Sequence, residues 1–150
     1  MNTADIALLA NAAATLVMVG IIWFVQRVHY PLLAVVSTDR AIDVAVEHQR
    51  RTGQIVGLPM AVEGVSTLVL LADRPEEVAL IWPWLGAFLL AVALGSTIFL
   101  SVPRHAKMVS DPNPEIGRSL VRTNWPRTIA WSARGIIVVI MLVNVVGGRA

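Results

Sequence analysis

Cysteine is missing from all 150 residues, which excludes disulfides, thiolate metal sites, iron–sulfur clusters and cysteine nucleophiles. Charge is scarce too. Asp, Glu, Lys and Arg make up 15% of the chain, against about 25% in a soluble domain, and a surface wetted on all sides needs more than that. The formal net charge of +2 is too small to argue for nucleic acid, and no RNA- or DNA-reading motif is present. Internal repeats and low-complexity runs are also absent. The opening residues Met1-Asn2-Thr3-Ala4-Asp5 form no basic n-region, so the apolar run behind them is expected to stay as a span and not to be cleaved as a signal peptide.

What the chain has is long apolar runs, with 56% hydrophobic residues. Residues 6–25 carry no charge, 55–72 carry only Glu63, 78–102 carry none, and 128–148 carry only Arg134. A helix of twenty residues is about 30 Å long and matches the hydrocarbon core of a bilayer. Lipid cannot hydrogen-bond a backbone, so such runs cross as helices. The expected fold is all-α, a single integral membrane four-helix bundle over 1–150, with spans near 6–28, 55–72, 78–102 and 126–147.

Basic residues orient it. Arg27, Arg40, Arg50 and Arg51 lie between the first two spans, and Arg104, Lys107, Arg118, Arg122 and Arg127 lie between the last two; only Arg74 and Arg149 fall on the other side. Nine against two places both longer loops in the cytoplasm and both termini outside, as a multi-pass protein of the inner (plasma) membrane. Trp82 and Trp84 fit the outer aromatic belt, Trp23 and Trp125 the inner one.

Local signals refine the elements. Ser37-Thr38-Asp39 reads as a helix start, so 40–54 is expected as a cytoplasmic helical extension running into the second span, with a kink at Pro59. Asp73-Arg74-Pro75 reads as a tight outer turn, and the 110–114 stretch, with two prolines, as a loop. Pro103 should distort the end of the third span. Thr123-Asn124 should cap the fourth, with Pro126 in its first turn. Gly57, Gly64, Gly86 and Gly95 are expected to allow close helix contact.

The polar residues fall on stripes. Asn11, Thr15, Met18, Ile22, Gln26 and His29 share one face of the first span; Met60, Glu63 and Thr67 share one of the second. Thr97, Ser101 and His105 recur every four residues, and Arg127, Trp131 and Arg134 are spaced four and three. Lipid excludes such side chains, so each stripe should face the bundle interior, toward a common site in its cytoplasmic half. Glu63 and Arg134 lie at similar depths, roughly 12–13 Å from the inner ends of their spans, and are expected to form an ion pair. Its role is either to fix helix packing or to serve a site.

His29, His48 and His105 all belong to the cytoplasmic end. A His–His–His or His–His–Glu set could hold zinc or iron, and two facing imidazoles could ligate haem. Against this, no two histidines have ligand spacing within one helix, and interfacial histidines also bond headgroups or water. Arg104, Lys107, Arg118 and Arg122 read first as topology determinants.

The order Ser101-Val102-Pro103-Arg104-His105, then Leu120-Val121-Arg122-Thr123-Asn124-Trp125-Pro126-Arg127-Thr128, then Trp131 and Arg134 resembles small bacterial four-span membrane proteins of unknown function. More loosely it is similar to the anthrone-oxygenase-like family. The likeness covers the last third of the chain, with His29-Tyr30-Pro31 in support. It implies that His105, Trp131 and Arg134 line an interior site, with His105 standing where the oxygenase-like pattern has Asn.

Three functions compete. One is a membrane enzyme, an oxidoreductase or a binding protein for a lipophilic small molecule. In it His29, His48 and His105 would act as ligands or acid–base groups, Arg127 and Arg134 would stabilise negative charge, and Glu63 would orient Arg134. The second is a structural or accessory subunit of a larger membrane complex, or an oligomer, whose polar stripes only hold helices together. The third is a small transporter or proton path.

Overall fold

A computed structural model describes residues 2–37, 39–110 and 114–149, and all regular structure among them is helical. We number the helices α1 (Thr3–Leu33), α2 (Ala41–Ala72), α3 (Ile81–Ser110), α4 (Pro114–Thr123) and α5 (Trp125–Gly148). Four helical runs are long and apolar enough to cross a membrane: α1, α2, α3, and α4 joined to α5.

Helix limits follow local chemistry, with some departures from expectation. At the start of α1 the Asn2 side chain accepts the Asp5 N–H at 2.9 Å while the Asp5 carboxylate accepts the Asn2 N–H at 3.1 Å, a reciprocal capping box. Of the start signal at Ser37-Thr38-Asp39, Thr38 lies outside the described residues; the N-cap position is Arg40, whose side chain bonds no amide of the first turn. α2 then continues for 32 residues with Pro59 inside it, so the extension and the second candidate span are one helix. α3 starts at Ile81, three residues after the run begins. Val78 is held in the preceding turn, where its N–H donates to Pro75 O at 3.0 Å and its C=O accepts from Arg74 Nε at 2.9 Å. Of the 110–114 stretch, residues 111–113 lie outside the described residues. Asn124 occupies the N-cap of α5 but does not cap it; its amide donates instead to Gln26 Oε1 at 2.9 Å and Thr128 Oγ1 at 3.3 Å.

Two helices carry one widened turn each, Val25–His29 in α1 and Thr97–Ser101 in α3. Both end two residues before a proline, Pro31 and Pro103. Proline has no N–H and its ring crowds the carbonyl four residues back. The backbone answers with i→i+5 bonds, from Tyr30 N–H to Val25 O and from Val102 N–H to Thr97 O. This is how α3 passes Pro103 and reaches Ser110, well beyond residue 102. Such π-turns concentrate at functional sites.

The long helices form a ring in which α1 packs on α2 and α5, and α3 on α5 and α2. Neighbours run antiparallel, since Asn11 meets Ser66 while His29 meets His48, and Gly86 meets Arg134 while Ser101 meets Arg127. Both termini and the 73–80 connection therefore share one end, where Arg149 bridges Asp5 at 2.7 Å and Glu77 at 2.6 Å. The Arg149 hydrogen bond holds the Glu77 carboxyl below its ordinary value. A depressed carboxyl stabilises the fold above its unfolded pKa and loses that contribution as pH falls through the folded value. Acidification below about pH 4 should therefore loosen the final turn of α5. Amide exchange at 145–149 would report this, and Arg149→Gln should remove most of the pH dependence, leaving the part due to the Glu77 backbone hydrogen bond.

The interior is layered. Leu8, Leu70, Val138 and Met141 pack at the end bearing the termini; Met18, Ile22, Ala93, Ala130 and Trp131 in the middle; Tyr30, Leu33, Ala45, Met108 and Leu120 at the far end. The outside is apolar: Leu58 is 73% exposed and Phe99 76%, whereas Glu63 is 0% and Arg134 1% exposed. That inverts a soluble bundle and suits an apolar solvent. The expected close contacts at Gly57, Gly64 and Gly95 are not formed, because a Cβ there would meet nothing within 4 Å. Gly86 does touch Arg134, and the tightest approach is Gly117 of α4, whose Cβ would lie 2.6 Å from Ala34 Cα.

Candidate functional site

The polar stripes do point inward. Asn11, Thr15, Gln26, Glu63, Thr67, Ser101, Thr128 and Arg134 are all buried. They do not share one pocket, however, but separate into an ion-pair network at mid-bundle and a histidine cluster at the end away from the termini.

The network is built on Glu63 and Arg134, whose Oε1 and Nε are 3.0 Å apart. Glu63 Oε1 also accepts from Thr15 Oγ1 at 2.7 Å, and its Oε2 accepts from Trp131 Nε1 at 3.0 Å. Arg134 donates further to Gly86 O, to Asn11 Oδ1 at 3.2 Å and to Thr67 Oγ1 at 2.6 Å. Asn11 in turn donates to Ser66 Oγ at 2.8 Å. All four long helices contribute. Each charge is matched and every charged nitrogen and oxygen of the pair has a hydrogen-bond partner, which is what makes burial of both tolerable. Glu63 is thereby separated from the histidines, so the His–His–Glu set is not assembled. Arg134 spends its donors on protein groups and is better placed to hold the bundle than to meet a substrate.

The second group gathers His29, His48 and His105 from α1, α2 and α3. His29 Nε2 lies 2.6 Å from His48 Nδ1, which is also 3.1 Å from Thr52 Oγ1. The His48 and His105 rings have centroids 4.9 Å apart. Tyr30, the chain's single tyrosine, is 3% exposed, and its hydroxyl lies 3.0 Å from His105 Nε2. Arg127 NH1 donates to Ser101 Oγ at 3.0 Å and, more weakly, to Tyr30 Oη at 3.5 Å. Arginine can only donate. Tyr30 therefore accepts from Arg127, and in the His105 tautomer with Nε2 unprotonated its own proton is donated to that nitrogen, which points the chain from Arg127 through Tyr30 to His105. Among the described residues, His105 Nδ1 and Arg127 Nε are buried without a partner.

As a metal centre the trio falls short. The imidazoles do meet, but no three His, Asp or Glu among the described residues are arranged to hold an ion. His29 and His48 bond each other directly, and His105 Nε2 is turned to Tyr30. Nor is there room between His29 and His48 for a haem, whose iron would stand between the two nitrogens at about 2 Å from each.

Two cavities flank the cluster. One of about 390 Å³ between α1 and α2 is lined by Phe24, Val25, Ile55 and Val56 and ends on His29 and His48. The other, about 250 Å³ between α2 and α3, is lined by Tyr30, Met60, Ser101, His105 and Arg127. His48, Thr52 and Val56 border both. The two groups touch through Trp131, whose indole bonds Glu63 on one side and carries the Arg127 guanidinium 5.5 Å from its ring centroid on the other.

Sequence reasoning placed His29, His48, His105 and Arg127 together but did not include Tyr30 or Thr52 in the site. Tyr30 had a signal: it is the only phenol and directly precedes the proline that widens α1. Comparison of the chain with family models, curated proteins and solved structures finds no match, so the functional reading rests on this geometry.

Proposed function

We propose that the chain is a multi-pass protein of the plasma membrane, with both termini outside, that binds a lipophilic small molecule at the histidine cluster and exchanges protons with it. The observation that carries this reading is the placement of His48 at the wall between two largely apolar cavities, beside a Tyr–His–Arg hydrogen-bonded chain. Cavities of this kind, apolar with a few convergent polar groups, are the usual form of small-molecule sites. Four apolar helices and nine basic residues at the cluster's end support the cytoplasmic placement. Substrate enters from the acyl-chain region through the clefts beside α2. Tyr30 then passes its proton to His105 Nε2 and takes one from a substrate hydroxyl, while Arg127 stabilises negative charge on the phenolic oxygen between these steps. In an oxidoreductase of lipophilic phenolic compounds such a relay would supply the proton transfer alone, the electrons passing to a separate redox-active co-substrate. The likeness of residues 101–134 to the anthrone-oxygenase-like family does not extend to this chemistry, because His105 stands where that family's pattern has Asn.

The test is extraction of the purified protein with organic solvent, followed by mass spectrometry. The wild type should release a lipophilic compound near one per chain, and His48→Leu should release far less. Equal release by both proteins would favour the alternative, a packing or accessory subunit without a site.

A further inference from the structure

A third cavity lies outside this site, between the end of α3 and α4, and holds about 460 Å³. Its lining is polar and mostly cationic, with Arg104 and Lys107 from α3, Arg122 and Ser119 from α4, and one carboxylate, Glu115. Arg104 is fixed in place: its Nε donates to Ser119 Oγ at 3.0 Å and its NH1 to Leu100 O at 2.7 Å. Its third guanidinium nitrogen has no partner among the described residues, and neither Lys107 nor Arg122 forms an ion pair there. Glu115 lies 3.7 Å from Arg118, so three cations face one carboxylate already beside another arginine. Topology alone requires basic residues at this end, but not their convergence around a cavity with one guanidinium held by two bonds. A planar, oriented guanidinium beside a lysine and a hydroxyl is the donor set that phosphate oxygens take.

We propose that this cavity is a phosphate-binding site, seated to take the headgroup of an anionic phospholipid. The inference rests on the reading of this end as the cytoplasmic interface. α4 supports it, since Gly117 and Leu120 are turned to the bundle while Arg118 and Arg122 are exposed. Basic pockets at that depth recognise acidic headgroups.

The experiment is native mass spectrometry of the full-length protein in detergent mixed with equal amounts of phosphatidylglycerol and phosphatidylcholine. Phosphatidylglycerol should be retained in about tenfold excess, and R104Q/R122Q should remove most of that preference. R27Q/R40Q, which loses the same charge elsewhere at this end, should keep it. The single exposed change K107Q should lower the preference about threefold and guards against misfolding of the double variant. Displacement by millimolar inorganic phosphate would identify free phosphate as the occupant; persistence would identify the lipid. Equal retention of both lipids, or equal loss in both double variants, overturns the inference. Retention of no lipid at all would defeat the membrane reading with it.

Discussion

Replacing Glu63 with alanine should destabilise the bundle by about 3–5 kcal/mol, the largest effect expected of any single change. The cause is what the substitution leaves behind. Arg134, 1% exposed, would keep its charge with no carboxylate to answer it, and the Thr15 hydroxyl and Trp131 indole would lose their acceptor. Glu63→Gln is a sharper probe. One amide oxygen cannot accept from Thr15, Trp131 and Arg134 together, and its NH₂ would face a donor whichever way it is turned. It should therefore recover only part of the loss. A joint replacement of Glu63 and Arg134 by apolar residues should cost less than Glu63→Ala alone, because no orphaned charge remains. Thermal unfolding of the detergent-solubilised variants gives the comparison. A Glu63→Ala protein as stable as wild type would show that the pair is not the keystone of the fold.

Tyr30→Phe and His105→Ala should each lower turnover of the copurifying compound by about 10²–10⁴-fold, the usual contribution of a positioned proton donor or acceptor. Neither should weaken its retention comparably, because the apolar walls of both cavities stay intact. The two changes should also fail to add. With Tyr30 gone, His105 has no proton to receive, so the double variant should be about as slow as the slower single one. Additive losses would mean that the two side chains act separately and that their 3.0 Å contact is not a relay.

The fold was largely legible because the bilayer argument is unforgiving. Long uncharged runs must be helices, and side chains such as Asn11, Thr15 and Glu63 within them must turn inward, as their burial bears out. The Glu63–Arg134 pair followed from depth alone. The separation into two groups was not legible, because depth says how far along a helix a residue lies but not what stands between two such residues. Here Trp131 stands between, and its indole both partners Glu63 and shields it from the histidines. The Asn124 side chain escaped for a similar reason. Its cap position is local, but its partner Gln26 lies 98 positions away. Glycine spacing misled because it marks where helices could approach, and the ring brings no neighbour to Gly57, Gly64 or Gly95.

The widened turns keep the site in phase. Met18, Ile22, Gln26 and Tyr30 recur every four residues, as do Ala93, Thr97, Ser101 and His105. In an ideal α-helix three such steps overshoot three full revolutions by about 120°, enough to swing the last member of each series off the face that holds the first. One surplus residue in the coil cancels that drift. Each π-turn thus works as a phase corrector, letting Tyr30 and His105 look into the same interior as residues three revolutions upstream.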